Sequence, residues 1–431
     1  MSEPVIVGCR RDNDLEIWFI YVTVVLMCIL FSGFSLLFYK RIWNPVLLCL
    51  AVMLLSITIA CLSNDYSAIK MRNGLFWITI GLFLFMCFFW LAQGCIAPKI
   101  HYKCSKRQYN REFLTSASTV CCIFAIICLG ISIYEVMQVT DSFISIFVNS
   151  TYVRMRYLQR STPVLISLLS NVLSMNFYML FCLLPQGIKY KCTCAKQKMI
   201  FVLACRISQS VITMSKEAFV IDCIIFMSAY VTSIGSSKEE RRFLLKYGKW
   251  FSLLVIVLIV IVAFQRNYVS SGRYSSYVEA VIMTLHNYIG NTISNFAELI
   301  SYSSLDYGGR QCFRPVVNVL SYLGLTEKLS IIQSVVGNSA GNVYTMFGNM
   351  YNDFGYSGII GLSSFFGLFL GSCYFKKGNQ LKTTVINAII IMTMIFVYYD
   401  YTLMQTVYLF DMIYAVLFDW ILRRRLYVQE K

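Results

Sequence analysis

The sequence predicts an all-α, polytopic integral membrane protein with about 11 (10–12) transmembrane helices and one large, partly helical outer loop. Composition is the first observation behind this: 58% of the 431 residues are hydrophobic, 13% are charged, and the mean hydropathy is +0.65. A soluble domain is roughly 45–50% apolar and about 25% charged, so a water-soluble globular enzyme is excluded. Disorder is excluded too, because it needs low hydrophobicity. Second, apolar runs near the ~20 residues needed to cross the hydrocarbon core recur along the chain. Third, basic residues concentrate in alternate connections, as the positive-inside bias requires.

The expected spans lie near 15–38, 45–63, 75–94, 114–136, 164–184, 199–214, 217–234, 250–265, 356–375, 384–400 and 405–422. The first is too long for a cleaved signal, and no small-residue cleavage site follows it. The connections 39–44, 95–113, 185–198, 235–249, 376–383 and the tail after 422 hold 23 basic residues against four acidic ones. They form the cytoplasmic set, with Arg423, Arg424 and Arg425 pinning the C-terminus inside. An odd number of spans puts the N-terminus outside, although Arg10 and Arg11 pull the other way. The chain then divides into spans one to eight (1–265, with an outer loop at 137–163), a large outer loop (266–355) and spans nine to eleven (356–431). A net charge of +16 reads as cytoplasmic anchoring and not as nucleic-acid binding.

Seventeen cysteines look at first like a metal or disulfide signal. Many lie inside apolar runs (Cys28, Cys49, Cys61, Cys87, Cys121, Cys122, Cys128), where a free thiol behaves as a small hydrophobe. Cys192 and Cys194 form a lone pair, short of the four ligands of a zinc site. No metal site and no cofactor site is expected.

Function is expected on the outer face, because an expanded loop among short connections is where function usually sits. In 266–355, Val278, Val281, Ile282, Leu285, Ile289, Ile293, Phe296 and Leu299 recur at three- and four-residue spacing, an amphipathic helical stripe. No hydrolase elbow, zinc-protease, P-loop or dinucleotide motif is present. Outer basic residues run against the positive-inside bias: Arg154, Arg156 and Arg160 before span five, Lys216 at the hairpin between spans six and seven, Arg266 and Arg273 after span eight, and Arg310 and Arg314 in the long loop. An arginine fork suits phosphate oxygens, so these residues are candidate ligands of an anionic group such as a lipid diphosphate. The plainer reading is contact with phospholipid headgroups or water. Arg206 and Asp222 fall at nearly equal depth on neighbouring spans, which predicts a structural ion pair or hydrogen-bonded pair, ahead of a proton relay. Asp411 and Asp419 lie on the last span, with Arg423 in reach of Asp419. As bases for a hydroxyl proton, Glu217, Asp353 and His286 are the candidates, in that order.

The most specific pattern is GNVYTMFGNMYNDFG, Gly341 to Gly355, followed by Tyr356, Ser357 and Gly358. Flexible glycines, amide-bearing Asn342 and aromatic Tyr344 and Tyr351 suit a sugar-binding membrane interface. This stretch closely resembles one found in oligosaccharide repeat-unit polymerases, the O-antigen polymerase (Wzy-type) family of bacterial inner membranes. FYKRIWNP (Phe38 to Pro45), the arginine-bearing segment before span five and HNYIGNTISNF (His286 to Phe296) are similar as well. The resemblance implies a GT-C-like membrane glycosyltransferase acting on undecaprenyl-diphosphate-linked oligosaccharides, as donor and acceptor, at the periplasmic face. It also implies a flippase and a chain-length regulator as partners beside the membrane lipids, and functional arginines at Arg154, Arg156, Arg160, Arg266 and Arg273. Where that family commonly shows Ser-Arg, this chain has Ser215-Lys216-Glu217. The competing readings are an O-antigen ligase, a lipid-linked oligosaccharide transporter or flippase, and a non-catalytic membrane protein.

Overall fold

The computed structural model describes residues 8–62, 68–96, 109–140, 142, 144–148, 150–159, 164–215, 217–234, 237–265, 276–302, 307–327, 344–375, 380–400, 405–422 and 426–427. Among them are helices, turns and one isolated antiparallel bridge, Tyr109–Tyr427, and no strand. The longer helices are α1 (Gly8–Tyr39), α2 (Pro45–Leu62), α3 (Ala68–Leu91), α4 (Arg111–Met137), α5 (Ser150–Gln159), α6 (Val164–Phe181), α7 (Ala195–Ile212), α8 (Glu217–Ser233), α9 (Lys249–Gln265), α10 (Tyr277–Ile289), α11 (Asn291–Leu299), α12 (Arg314–Tyr322), α13 (Met346–Cys373), α14 (Leu381–Ile395) and α15 (Thr406–Ile421). Each apolar run expected to span falls on one of these helices. Six of them are long and apolar enough to cross a membrane: α1, α2, α3 with the turn to Ile96, α4, α13, and α14 with the turn to Tyr398. Only 17% of the apolar window of α1 is buried, so its large side chains are left for hydrocarbon. The chain is an all-α membrane protein.

Two asparagines set helix starts. Asn44 Oδ1 accepts the Leu47 backbone N–H at 2.9 Å and the Ser35 hydroxyl at 2.7 Å, and Pro45 follows at the first helical position of α2. Asn110 accepts from the Glu112 backbone N–H at 3.0 Å and opens α4.

The chain forms two compact units, each drawn from separated stretches. The first comprises 1–103, 285–374 and 393–406. Its spine is α3 against α13, packed in parallel: Trp77 stacks on Tyr356 at 4.3 Å, Gly81 faces Phe347, Phe85 faces Gly367 and Phe89 faces Gly371. A Cβ on Gly367 or Gly371 would collide with the carbonyl oxygens of Phe85 and Phe89. This small-xxx-small spacing lets two backbones approach within a bilayer, where there is no hydrophobic drive between helices. At the starting end of α3, α10 and α11 wrap the end of α2. A Cβ on Gly290 would lie 2.7 Å from Ile59, Ser56 donates to the Ile289 carbonyl, and Lys70 pairs with Glu298 at 2.5 Å. The expected stripe of the long loop therefore divides at Gly290. Ile293, Phe296 and Leu299 are buried, whereas Val278 and Ile282 are exposed. At the other end Gln93 donates to the carbonyls of Gly371 and Tyr374, and Tyr39 rings meet Tyr374.

The second unit comprises 104–284, 375–392 and 407–431. Here α4 and α7 run parallel, tied by Lys198 to Thr119 at 2.7 Å near their starts and Gln209 to Ser132 at 2.8 Å near their ends. The C-terminal segment closes the starting end: Asn110 N–H donates to the Leu426 carbonyl and Tyr427 hydroxyl to Asp419, while Leu381 N–H donates to Tyr427 Oη at 2.8 Å. The opposite end holds a small apolar core of Val136, Ile146, Val153, Ile212 and Met214, which docks α5 over the hairpin between α7 and α8.

Candidate functional site

In the first unit, the end of α11 and the chain after it, Leu299 to Tyr302, meet the 344–358 stretch. α13 starts at Met346 and breaks at Phe354 (φ −143°, ψ 16°) and Gly355 (φ 62°, ψ −147°). Gly355 takes a left-handed backbone that a side chain would strain. The break separates a short helix, 346–353, from the spanning part that follows. Irregular backbone beside a membrane span is tolerated where protein buries it or where it lines a cavity. This short helix is buried and polar along one face: Thr345, Asn349, Asn352 and Asp353 are all at most 2% exposed. Against it lie α11 and the chain beyond. Tyr351 Oη donates to the Tyr302 carbonyl at 2.6 Å, and Leu299 approaches Gly348.

Asp353 holds the turn that precedes α12. Its Oδ1 accepts the Gln311 backbone N–H at 3.0 Å and its Oδ2 accepts that of Cys312 at 2.7 Å. Tyr307 N–H donates to the Asn352 carbonyl at 3.2 Å, completing the block. Gly308 and Gly309, both at positive φ, make the turn tight enough for two amides to converge on one carboxylate. Burial, and then the charge and hydrogen bond of Asp353, hold the Cys312 thiol well above the usual thiol range. Arg314 Nη2 donates to Gln311 Oε1 at 2.7 Å, while its Nε is buried without a hydrogen-bond partner among the described atoms.

The other sequence candidates of this unit are Tyr344, Tyr351 and His286. Tyr344 and Tyr351 are buried, and neither ring offers an open face to solvent. The exposed aromatics among the described residues here include Tyr302, Tyr307, Phe313, Phe354 and Tyr356. Both ring nitrogens of His286 are buried and lack a hydrogen-bond partner among the described atoms. Asn342, Arg266 and Arg273 lie outside the described residues. One carboxylate not singled out from the sequence appears here. Asp400, partly exposed just past α14, accepts from Asn349 Nδ2 at 2.6 Å. Beside it in sequence, the Tyr399 ring stacks on Tyr288 of α10, with centroids 6.2 Å apart and planes at 17°. The only local signal was an acid set among aromatics, Tyr398 to Tyr401, at the end of an expected span.

In the second unit, Arg154 of α5 reaches the α7–α8 hairpin: its Nη1 donates to the Thr213 carbonyl at 2.8 Å, and its guanidinium lies 5.7 Å from the Tyr157 ring. Tyr157 in turn donates to Glu135 at 3.1 Å. Arg156 is exposed, 4.7 Å from the Tyr152 ring. Glu217 opens α8 just past the hairpin. Met214, at φ 53°, turns the chain there. The structure thus brings Arg154 to within a few residues of Glu217 along the hairpin. Arg160 and Lys216 lie outside the described residues. Beneath the hairpin, Arg206 forks onto Asp222, its Nη1 donates to Gln209 at 2.6 Å, its Nη2 donates to Tyr178 at 3.2 Å, and its guanidinium lies 4.9 Å from the Phe177 ring. Both oxygens of Asp411 are buried without a hydrogen-bond partner among the described atoms. Arg423, the expected partner of Asp419, lies outside the described residues. Among the described residues no group of three or more His, Cys, Asp or Glu is placed to hold a metal ion.

Fold and site define the class, an all-α membrane protein with a polar helix break beside a spanning helix. No protein-family model, curated protein or solved structure matches the chain.

Proposed function

We propose that this chain is a membrane glycosyltransferase that joins undecaprenyl-diphosphate-linked oligosaccharide repeat units into a surface polysaccharide at the periplasmic face of a bacterial inner membrane. On this reading it has eleven spans, a GT-C-like build and a large periplasmic loop. The flippase that supplies its substrate and a chain-length regulator are its partners. The observation that carries the reading is the 344–358 stretch, packed through Gly348, Tyr351 and Tyr356 against Leu299, Ile300 and Tyr302, just beyond 286–296, around the break at Gly355. The 344–358 stretch is the one most like the polymerase family, and it presents a buried polar face beside a candidate span.

The reaction has three requirements. Cations must stabilise the departing lipid diphosphate as its charge develops. Arg154, Arg156, Arg160, Lys216, Arg266 and Arg273 are assigned to that task. A base must take the acceptor hydroxyl proton. A surface must hold two glycolipids in line. With both Asp353 oxygens taken up by backbone amides, that residue shapes the loop. The test is deletion of the gene followed by gel analysis of surface glycans. A one-repeat product is expected. An unattached long polymer would indicate a ligase instead, and an unchanged ladder would overturn the reading.

A further inference from the structure

We infer that α12 and the chain on to Leu325 lie in the lipid itself. The apolar face of this segment sinks among phospholipid acyl chains beside α13, with Arg310 in the headgroup layer. The partner is the phospholipid leaflet, and the surface exists whatever the chain catalyses.

Two amphipathic helices of the long loop are packed in opposite senses. In α11 the apolar residues Ile293, Phe296 and Leu299 are buried, as in a helix that turns its apolar stripe to a protein core. In α12 the apolar residues Val316, Val319 and Leu323 recur at three- and four-residue spacing and are exposed. Arg314, Asn318 and Ser321, on the other side of the helix, are half-buried. Leu323 and Leu325 are 66% and 72% exposed. Water disfavours an apolar face turned outward in this way. The boundary between headgroups and acyl chains accepts it.

A second observation sets that face against hydrocarbon. Asp353 clamps the turn before α12 next to the break in α13. From the clamp, Phe313 reaches along the spanning part of α13, where its ring meets those of Phe365 and Phe366 with centroids 6.4 and 6.0 Å apart. At 1.5 Å per residue, the backbone of Phe365 lies about 15 Å along α13 from Gly355. α13 is long and apolar enough to cross a membrane, so that level falls well inside a hydrocarbon core about 30 Å thick. Phe365 and Ile360 are themselves exposed, on the perimeter of the span. The outward face of α12 therefore continues, through Phe313, the outward face of α13. At the clamped end Arg310 is exposed and makes no ion pair among the described residues. A guanidinium at the start of an apolar segment suits a layer of phosphate oxygens.

The experiment places the full chain, one copy per disc, in nanodiscs of phosphatidylcholine and phosphatidylglycerol, which leave both membrane faces open to reagent. Val316→Cys, Leu323→Cys and Arg310→Cys are each treated with a water-soluble maleimide at pH 8, and labelling is read site by site by peptide mass spectrometry. The reacting thiolate is disfavoured in hydrocarbon, so Val316→Cys and Leu323→Cys are expected to react about 10-fold or more slowly than Arg310→Cys. In parallel, the wild type is irradiated in discs that carry a phospholipid with a photoactivatable acyl chain. Adducts are expected on peptides from 315–325 as well as on those of α13. Equal rates at positions 310, 316 and 323 would put the face in water and overturn the inference. Slow thiols with adducts on α13 but none on 315–325 would overturn it as well, since protein and not lipid would then cover the face.

Discussion

Arg206 and Asp222 form a two-pronged ion pair inside the second unit, with Nε to Oδ2 at 2.5 Å and Nη2 to Oδ1 at 3.1 Å. Asp222 is fully buried and Arg206 nearly so. Removing one partner strands the other charge, which costs about 3–5 kcal/mol. Replacing both with apolar groups of similar size leaves nothing stranded. Arg206→Ala and Asp222→Ala are therefore each expected to lower the thermal midpoint of the detergent-solubilised protein sharply. The double variant Arg206→Met/Asp222→Leu should recover most of the loss. A double variant as unstable as the singles would mean that Gln209 and Tyr178 depend on the charges themselves.

The α3–α13 contact makes a prediction with an internal control. A methyl on Gly367 meets the Phe85 carbonyl, whereas one on Gly361, same helix, meets nothing within 4 Å. Gly367→Ala is expected to cost about 1–3 kcal/mol through overpacking. Gly361→Ala should be neutral or stabilising by up to about 1 kcal/mol from helix propensity. Equal unfolding midpoints for the two would argue against close backbone contact.

The Asp353 staple can be followed through its neighbour. Because the Cys312 thiol is held protonated above the usual thiol range, its alkylation at pH 8 should be slow and should quicken only at higher pH. Asp353→Ala removes a charge that raises the thiol and opens the turn that buries it. Both changes favour thiolate at pH 8, so labelling, read by peptide mass spectrometry, should speed up by about an order of magnitude. Unchanged labelling would mean the turn stands without the carboxylate.

The hairpin contact of Arg154 ties a structural bond to the proposed chemistry. Arg154→Ala and Arg273→Ala are expected to shorten or abolish polysaccharide ladders while membrane protein level stays constant. Arg154→Lys keeps charge but loses the planar fork, and intermediate ladders are expected from it. Normal ladders from both alanine variants would remove the cationic diphosphate pocket from the mechanism.

What was legible in the sequence follows the range of each interaction. Apolar helices could be read because a bilayer imposes one length on a span, and six of the expected runs are helices long and apolar enough to cross. The Arg206–Asp222 pair could be read because a tight hairpin sets the depth of both residues. Helix 346–353 could not. Its glycines and asparagines read as a loop, and it is packing against α11, with Thr345 in an extended conformation before it, that makes it helical. Asp353 could be singled out only as a candidate base, and its amide partners, which make it a clamp of the turn, lie 41 and 42 residues away. Asp400 depends on Asn349, 51 residues earlier, and no local pattern announces that bond.

The glycine-lined seam between α3 and α13 also bears on biogenesis. Gln93 and Gly371, which join at one end of that seam, are separated by 278 residues. At about 5–20 residues per second, a ribosome needs on the order of tens of seconds to travel that far. Throughout that interval α3 sits in the lipid with its docking groove unfilled. A chain that stops before residue 346 lacks α13 and leaves the face of α3 that packs on Gly367 and Gly371 without its partner.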